Sequence, residues 1–251
     1  MSTLLLVTGG VVVLAASLLG GLTGFGFALV CAPLLLLLGL ELTDVVVVNL
    51  AIGLVTRLAT FARLHGSVHR RRALDLVAGS LPGLLLGFLV RDLVSGTALK
   101  VTAGAVAVGV AGHLLLRPTD PAAGPVRSPR LATGGAGLLG GFLGITTSLN
   151  GPPPVVLLAR QHVPPRQFVA DLAVYFIVGN ALALALLALS GDVHPRQVWP
   201  LLACWLPIGL AGNAVGNSWA ARVPQGPFRL LTLGLVVVTG LATVVTALAG
   251  R

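Results

Sequence analysis

The chain alternates long apolar runs with short polar gaps. The runs lie near 4–40, 44–64, 73–91, 97–116, 131–159, 168–190, 196–220 and 228–250. About 20 apolar residues in a helix cross the hydrocarbon core of a bilayer. A single helical segment satisfies its own backbone polar groups there. The pattern predicts an all-α polytopic membrane protein of about eight hydrophobic segments. Two runs do not fit one crossing. As a straight helix, 4–40 would extend roughly 55 Å, against a core of about 30 Å. Both long runs, 4–40 and 131–159, are interrupted in mid-course. "GGLTGFGFA", Gly20 to Ala28, breaks the first with glycines, and "ITTSLNGPPPVVLLARQ", Ile145 to Gln161, breaks the second with polar residues and prolines. Asn is favoured just before a helix and Pro in its first turn. Asn150-Gly151-Pro152 therefore reads as a helix start inside the membrane. Pro33, Pro152 and Pro153 read as structural residues of the breaks. Irregular backbone at that depth is tolerated where protein buries it or where it lines a cavity.

The two breaks occupy matching places in an internal duplication. "GGLTGFGFALVCAPLLLLL" (20–38) aligns with "GGFLGITTSLNGPPPVVLL" (140–158) at an offset of 120, matching Gly20, Gly21, Gly24 and Pro33 to Gly140, Gly141, Gly144 and Pro153. "GSVHRRRALDLVAGSLPGLLLG" (66–87) aligns with "GDVHPRQVWPLLACWLPIGLAG" (191–212) at an offset of 125. The organisation read from this is a first transmembrane repeat over 1–116, a linker over 117–130 and a second repeat over 131–251, each repeat opening with a broken or re-entrant helix. Such duplications are typical of transporters.

Topology divides into two readings. If each broken segment crosses once, the repeats are parallel, and the loops carry nine basic residues on one side and six on the other. If each goes in and returns, the repeats are inverted and the counts become eleven and four. The second arrangement obeys the positive-inside rule better.

Composition supports the membrane class. Hydrophobic residues make up 56% and charged ones 9%, too few charges to cover a water-facing surface. The sixteen basic residues against seven acidic ones fit topology signals in loops rather than nucleic-acid binding. The N-terminal run lacks a basic region before it and reads as a first membrane segment rather than a cleaved leader. Cys31 and Cys204 sit in apolar runs and read as small buried residues. His65 and His69 have i, i+4 spacing but lie in a Gly-containing basic loop, so a loop role is favoured over a metal site. No metalloprotease, Walker A or G-x-S-x-G motif occurs, so no enzyme, cofactor or metal centre is expected.

Candidate binding groups cluster at the breaks and on two helices. Around the first break, Gly24 and Gly26 allow close backbone approach, and a helix start offers free N–H groups to an anion beside Phe25. At the second, Thr146, Thr147, Ser148, Asn150 and Gly151 supply polar groups. The alternative is that the glycines permit close helix packing and the prolines only kink. Arg57 lies inside "VVVVNLAIGLVTRLATFARL" with no acid one turn away. Such an arginine faces a protein interior or a water path, or snorkels to the interface. Asn49 lies two turns earlier on roughly the same face. The matching element, "ADLAVYFIVGN", carries Asp171, Tyr175 and Asn180. Asp171 is a candidate proton-coupling acid, but it sits near a helix start, where an acid suits the dipole, and that reading is favoured.

The segments "GLTGFGFALVCAPLLLLLGL" and "GFLGITTSLNGPPPVVLLARQ", with "LHGSVHRRRALDL" and "LPGLLLGFL", resemble the sulfite exporter TauE/SafE family, also called the toluene sulfonate uptake permease group. The resemblance covers nearly the whole chain. Phe25 and Phe27 stand where the commoner family form has consecutive glycines. The resemblance implies a bacterial inner-membrane, multi-pass secondary transporter of a small sulfur-containing anion such as sulfite, sulfoacetate or an organosulfonate. A non-transporting scaffold subunit and a carrier of another organic anion are the rival readings. The expected partners are the small anionic substrate and the lipid bilayer, with no nucleic acid. The oligomeric state is open, a homodimer among the options.

Overall fold

The computed structural model describes residues 3–90, 96–116, 130–147, 150–191, 195–220 and 222–249. Residues 117–129 of the expected linker over 117–130 and Ser148 lie outside the described residues, as do the side chains of Pro33, Thr146 and Thr147. Every regular element described is helical: α1 (Thr3–Thr23), α2 (Gly26–Leu37), α3 (Leu42–Leu64), α4 (Arg70–Val90), α5 (Gly96–Leu116), α6 (Arg130–Thr147), α7 (Pro152–Arg160), α8 (Pro165–Ser190), α9 (Pro195–Ala220) and α10 (Gln225–Ala249). A 3-10 turn, His65–Ser67, joins α3 to α4. Among the described residues, five helices are long and apolar enough to cross a membrane: Thr3–Thr23, Thr43–Ser67, Arg70–Val90, Pro165–Ser190 and Arg196–Ala220.

Glycines set how closely the helices pack. A Cβ on Gly79, Gly83 or Gly137 would strike the carbonyl of Gly134, Leu138 or Leu76 across the α4–α6 contact. Across α1–α9, Gly216 meets Leu18 and Gly212 meets Leu14 in the same way. Without a hydrophobic force between helices in lipid, such backbone approach is a main source of association. Trp205, fully buried, fills the space beside Gly9 and donates its indole N–H to the Leu6 carbonyl at 3.0 Å.

These contacts fix helix direction. Residue numbers rise together along α1 and α9, and along α4 and α6, so each pair is parallel. Gly209 meets Ile52 and Asn217 meets Thr60, so α3 runs with α9. Gly53 meets Asn180 and Arg57 meets Phe176, so α8 runs against α3. Gly209 also meets Val13, which sets Ile52 level with the middle of α1 and the start of α3 level with the start of α1. The chain between them, α2, therefore runs back along α1. α7 returns likewise beside α6, where Gly140 meets Pro154. The chain turns back at both breaks.

Two expectations are corrected. Pro33 lies inside α2, which continues through it to Leu37; the break is made by the turn at Gly24 and Phe25 instead. Cys31 is buried, but Cys204 is exposed on α9. In an apolar helix, lipid contact satisfies a thiol as well as burial does.

Candidate functional site

The first break is a tight turn. Gly24 has φ +85°, a conformation glycine adopts without a Cβ penalty. Its N–H donates to the Gly20 carbonyl at 2.8 Å. The Gly26 N–H donates to the Thr23 hydroxyl at 3.2 Å, and that hydroxyl donates to the Leu19 carbonyl at 2.7 Å. The amides expected to be open to a ligand at Gly24 and Gly26 are thus engaged within the turn. A Cβ at Gly24 would press on Val169 at 3.2 Å, and one at Gly26 on Leu235 at 2.7 Å. Both glycines shape the turn and its packing. Phe25, between them, reaches the interior cavity.

The second break ends at α7, with Gly151 at its N-cap and Pro152 and Pro153 opening the helix. Gly151 has no side chain to cap with, and Asn150 does not act as the cap. Instead the Asn150 amide donates through Nδ2 to Asn180 Oδ1 at 3.3 Å. The Asn150 carbonyl accepts the Tyr175 hydroxyl at 3.2 Å. Tyr175 therefore props the break from behind. The two breaks meet: a Cβ on Gly151 would lie 3.3 Å from the Phe25 ring.

Between them is a cavity of about 440 Å³, including its open mouth, lined in part by Phe25, Asn49, Arg57, Asn150, Phe176 and Asn180. A smaller hollow of about 280 Å³ lies on the other side of Asn150 and reaches Tyr175 and Ser80. Five of the residues singled out from sequence, Phe25, Asn49, Arg57, Asn150 and Asn180, share one cavity although they come from four separate helices and breaks. Gly24, Gly26, Gly151 and Tyr175 surround it without lining it. Thr146, Thr147 and Ser148 cannot be assigned, since their side chains lie outside the described residues.

Arg57 is 3% exposed and points inward, so it does not snorkel. Its Nη2 donates to the Gly20 carbonyl at 3.0 Å. Its guanidinium carbon stands 6.0 Å from the centre of the Phe176 ring. Among the described residues Nη1 has no hydrogen-bond partner, and neither do the two amide atoms of Asn49, itself 3% exposed. Arg72 forms an ion pair with Asp171, two residues that do not line this cavity. A buried guanidinium without a carboxylate and with an open donor suits an anion.

Asp171 serves elsewhere. Fully buried, it accepts from the His69 N–H at 2.8 Å and from Arg72 Nε at 2.6 Å. It ties the α3–α4 turn to the start of α8, and His69 takes the loop role its position suggested. Among the described residues no group of three or more His, Cys, Asp or Glu side chains is placed to hold a metal.

Sequence reasoning passed over Phe27, Gly53 and Phe176, which also line the cavity. Helical spacing points to two of them: Gly53 precedes Arg57 by four residues, and Phe176 precedes Asn180 by four. It also passed over Asn213 and Asn217, whose amides both donate to the Thr60 hydroxyl, at 3.1 and 2.8 Å.

The family described as "Sulfite exporter TauE/SafE" matches residues 9–243. A "Probable inner membrane transporter protein TsaS" from Comamonas testosteroni is 27% identical over 108 residues, covering 43% of this chain and 45% of that protein. The matched region is thus less than half the length of that relative. No solved structure matches the chain. The match to the family spans nearly the whole chain, from within α1 to within α10. The chain, a multi-pass membrane protein, belongs to the sulfite exporter TauE/SafE family.

Proposed function

We propose that this protein moves a small sulfur-containing anion, sulfite or an organosulfonate, by alternating access of two inverted halves around the cavity at the two helix breaks. The observation that carries the anion reading is Arg57: buried, without a carboxylate partner among the described residues, its Nη1 open in the cavity that Asn49 also lines. A guanidinium and an amide N–H₂ match the oxygens of a sulfur oxyanion, and helix breaks at membrane depth are where transporters bind substrate. Phosphate and carboxylate fit the same donors. The choice of sulfur rests on the family.

Support for inverted halves comes from contact geometry. Gly21 on α1 packs against the Asn213 carbonyl and Asn217 amide of α9, and Gly141 on α6 packs against the Ser80 carbonyl and Leu84 amide of α4. The first helix of each half thus pairs with the fourth segment of the other. Gly21 and Gly141 keep the offset of 120 found in the sequence. Ser80 and Leu84 correspond to Asn213 and Asn217, at an offset of 133 rather than 125. α1, α3 and α9 run opposite to α4, α6 and α8, as inversion requires. Arg63, Arg70, Arg71, Arg72, Arg130, Arg160, Arg166 and Arg222 gather where α3 ends, and Arg196 lies at the other end. The positive-inside rule makes the arginine-rich end cytoplasmic.

Flux into proteoliposomes tests the proposal. Sulfite or a sulfonate should be carried by the native protein, and Arg57→Gln should lower that flux by about tenfold or more while the protein stays folded. Absence of flux for every sulfur anion, or equal flux in Arg57→Gln, would refute it.

A further inference from the structure

A second polar cluster lies between α3 and α9, outside the cavity. The Thr60 hydroxyl donates to the Thr56 carbonyl at 2.9 Å. Asn213 Nδ2 donates to that carbonyl at 3.2 Å and to the Thr60 hydroxyl at 3.1 Å. Asn217 Nδ2 donates to the same hydroxyl at 2.8 Å. Thr56, Thr60 and Asn213 are buried. Two acceptors are left over. Among the described residues neither Asn213 Oδ1 nor Asn217 Oδ1 has a donor, although both atoms are buried. A buried carbonyl oxygen without a partner is costly, and native structures keep few of them.

Turning the amides over does not remove the conflict. Their oxygens would then stand where the nitrogens do, at 3.1 and 2.8 Å from the Thr60 oxygen. The Thr60 proton is already given to Thr56. Oxygens so placed repel one another unless a cation lies among them, and hard cations are held by oxygens of this kind.

Helix packing alone does not require these groups. At the matching junction of the other half, Gly141 packs on Ser80 and Leu84 as Gly21 packs on Asn213 and Asn217. There α8 presents Gly179 and Ala183 to a hollow, and the Ser80 hydroxyl is spent on the Val77 carbonyl at 2.8 Å. One junction is closed with small and apolar residues, the other with four polar side chains.

We infer that the Thr56 carbonyl, Thr60, Asn213 and Asn217 form a binding site for a small monovalent metal cation, sodium. Divalent cations are held through carboxylates, and every group here is neutral. None of them takes up a proton near neutral pH, so the ligand is a metal ion rather than a proton. The site adjoins the arginine of the cavity. Thr56 precedes Arg57 on α3, and the Gly20 carbonyl that holds Arg57 is followed by Gly21, which packs on Asn213. The guanidinium repels a cation at this place until an anion lies in the cavity, so each ion favours binding of the other. That coupling rests on the transport reading above; the cation site does not.

The test replaces choline by sodium at constant ionic strength, on the full chain in nanodiscs. Sodium should raise the melting temperature by at least about 2 °C. Thr60→Val keeps the side-chain shape without the hydroxyl, and Asn217→Leu introduces the residue type of Leu84. Each should abolish the sodium shift, whatever its own effect on stability. By calorimetry, the native chain should bind ethanesulfonate about tenfold more tightly in sodium than in choline. Equal melting temperatures in sodium and choline would overturn the site, as would a shift retained in both variants. Ethanesulfonate affinity indifferent to sodium would overturn the coupling. If sodium stabilises the chain through these residues while no sulfur anion is carried, the cation site stands and the transport reading falls. If a sulfur anion is carried and sodium leaves stability unchanged, the transport reading stands and the cation site falls.

Discussion

The guanidinium of Arg57 donates to the carbonyl oxygen of Gly20 at 3.0 Å, and the same carbonyl accepts the Gly24 N–H at 2.8 Å. One oxygen near the end of α1 thus links the cavity's buried guanidinium to the turn that ends the helix. The arginine is anchored on one side and open on the other. Anchoring reduces the side-chain freedom lost when an anion binds, and the open Nη1 is what the anion meets.

Replacing Arg57 separates charge from shape. Arg57→Gln removes the charge, and sulfonate flux should fall by about tenfold or more. Arg57→Lys keeps the charge but loses the planar fork, so it cannot hold Gly20 and face the cavity together. Its flux should lie between the two. Initial rates in proteoliposomes decide this; equal rates in native protein and Arg57→Gln would remove Arg57 from the site.

Asp171 and Arg72 form a lock between the α3–α4 turn and α8. Asp171→Asn leaves Arg72 without its carboxylate, and should lower stability by about 2–3 kcal/mol. Thermal melting in detergent measures it. Because the two groups share one interaction, Asp171→Asn combined with Arg72→Gln should cost less than the separate changes added together. Full additivity would mean the contact contributes nothing.

Two glycines of α6 should respond in opposite directions. A Cβ on Gly137 would strike the Leu76 carbonyl, whereas one on Gly135 meets nothing within 4 Å. Gly137→Ala should destabilise by about 1–3 kcal/mol through overpacking. Gly135→Ala should be neutral or stabilising, by up to about 1 kcal/mol, because alanine favours the helix. The same melting assay compares them, and similar shifts in both would contradict close α4–α6 packing.

Much of this arrangement was legible in the sequence. Apolar runs located the helices to within a few residues, since a bilayer demands helical crossings of one length. The interruptions at Gly24 and Asn150 marked the breaks, because glycine and proline act locally. What was not legible depended on tertiary contacts. Gly24 and Gly26 looked like open donors, but Thr23 and the Gly20 carbonyl take their amides. Pro33 looked like a breaker, but α2 runs through it. Asn150 looked like a cap and Tyr175 like a ligand; each instead supports the second break. Arg57 was singled out as a charge inside an apolar run, and it is buried, yet its sequence neighbours left snorkelling open. The inward direction came from α3 packing between α8 and α9, which turns Arg57 toward the Gly20 carbonyl.

Helix directions give a topology forecast. The exposed Glu41 precedes α3 and the exposed Pro164 precedes α8, two helices that run in opposite directions. Glu41→Cys and Pro164→Cys, placed in a chain with Cys31 and Cys204 replaced, should react with an impermeant thiol reagent from opposite sides of the membrane. Labelling from the same side would contradict the inverted arrangement.

The most direct test of the central claim, that the anion passes through the cavity where the two breaks meet, is accessibility of Ala28, which lines it. A single cysteine at Ala28, in the same cysteine-free background, is treated with an impermeant thiol reagent from each side, with and without ethanesulfonate. The account predicts reaction from both sides, as the cavity opens to each in turn, and slower reaction when the sulfonate is bound. Reaction from one side only, at a rate indifferent to every sulfur anion carried, would place the transport path elsewhere.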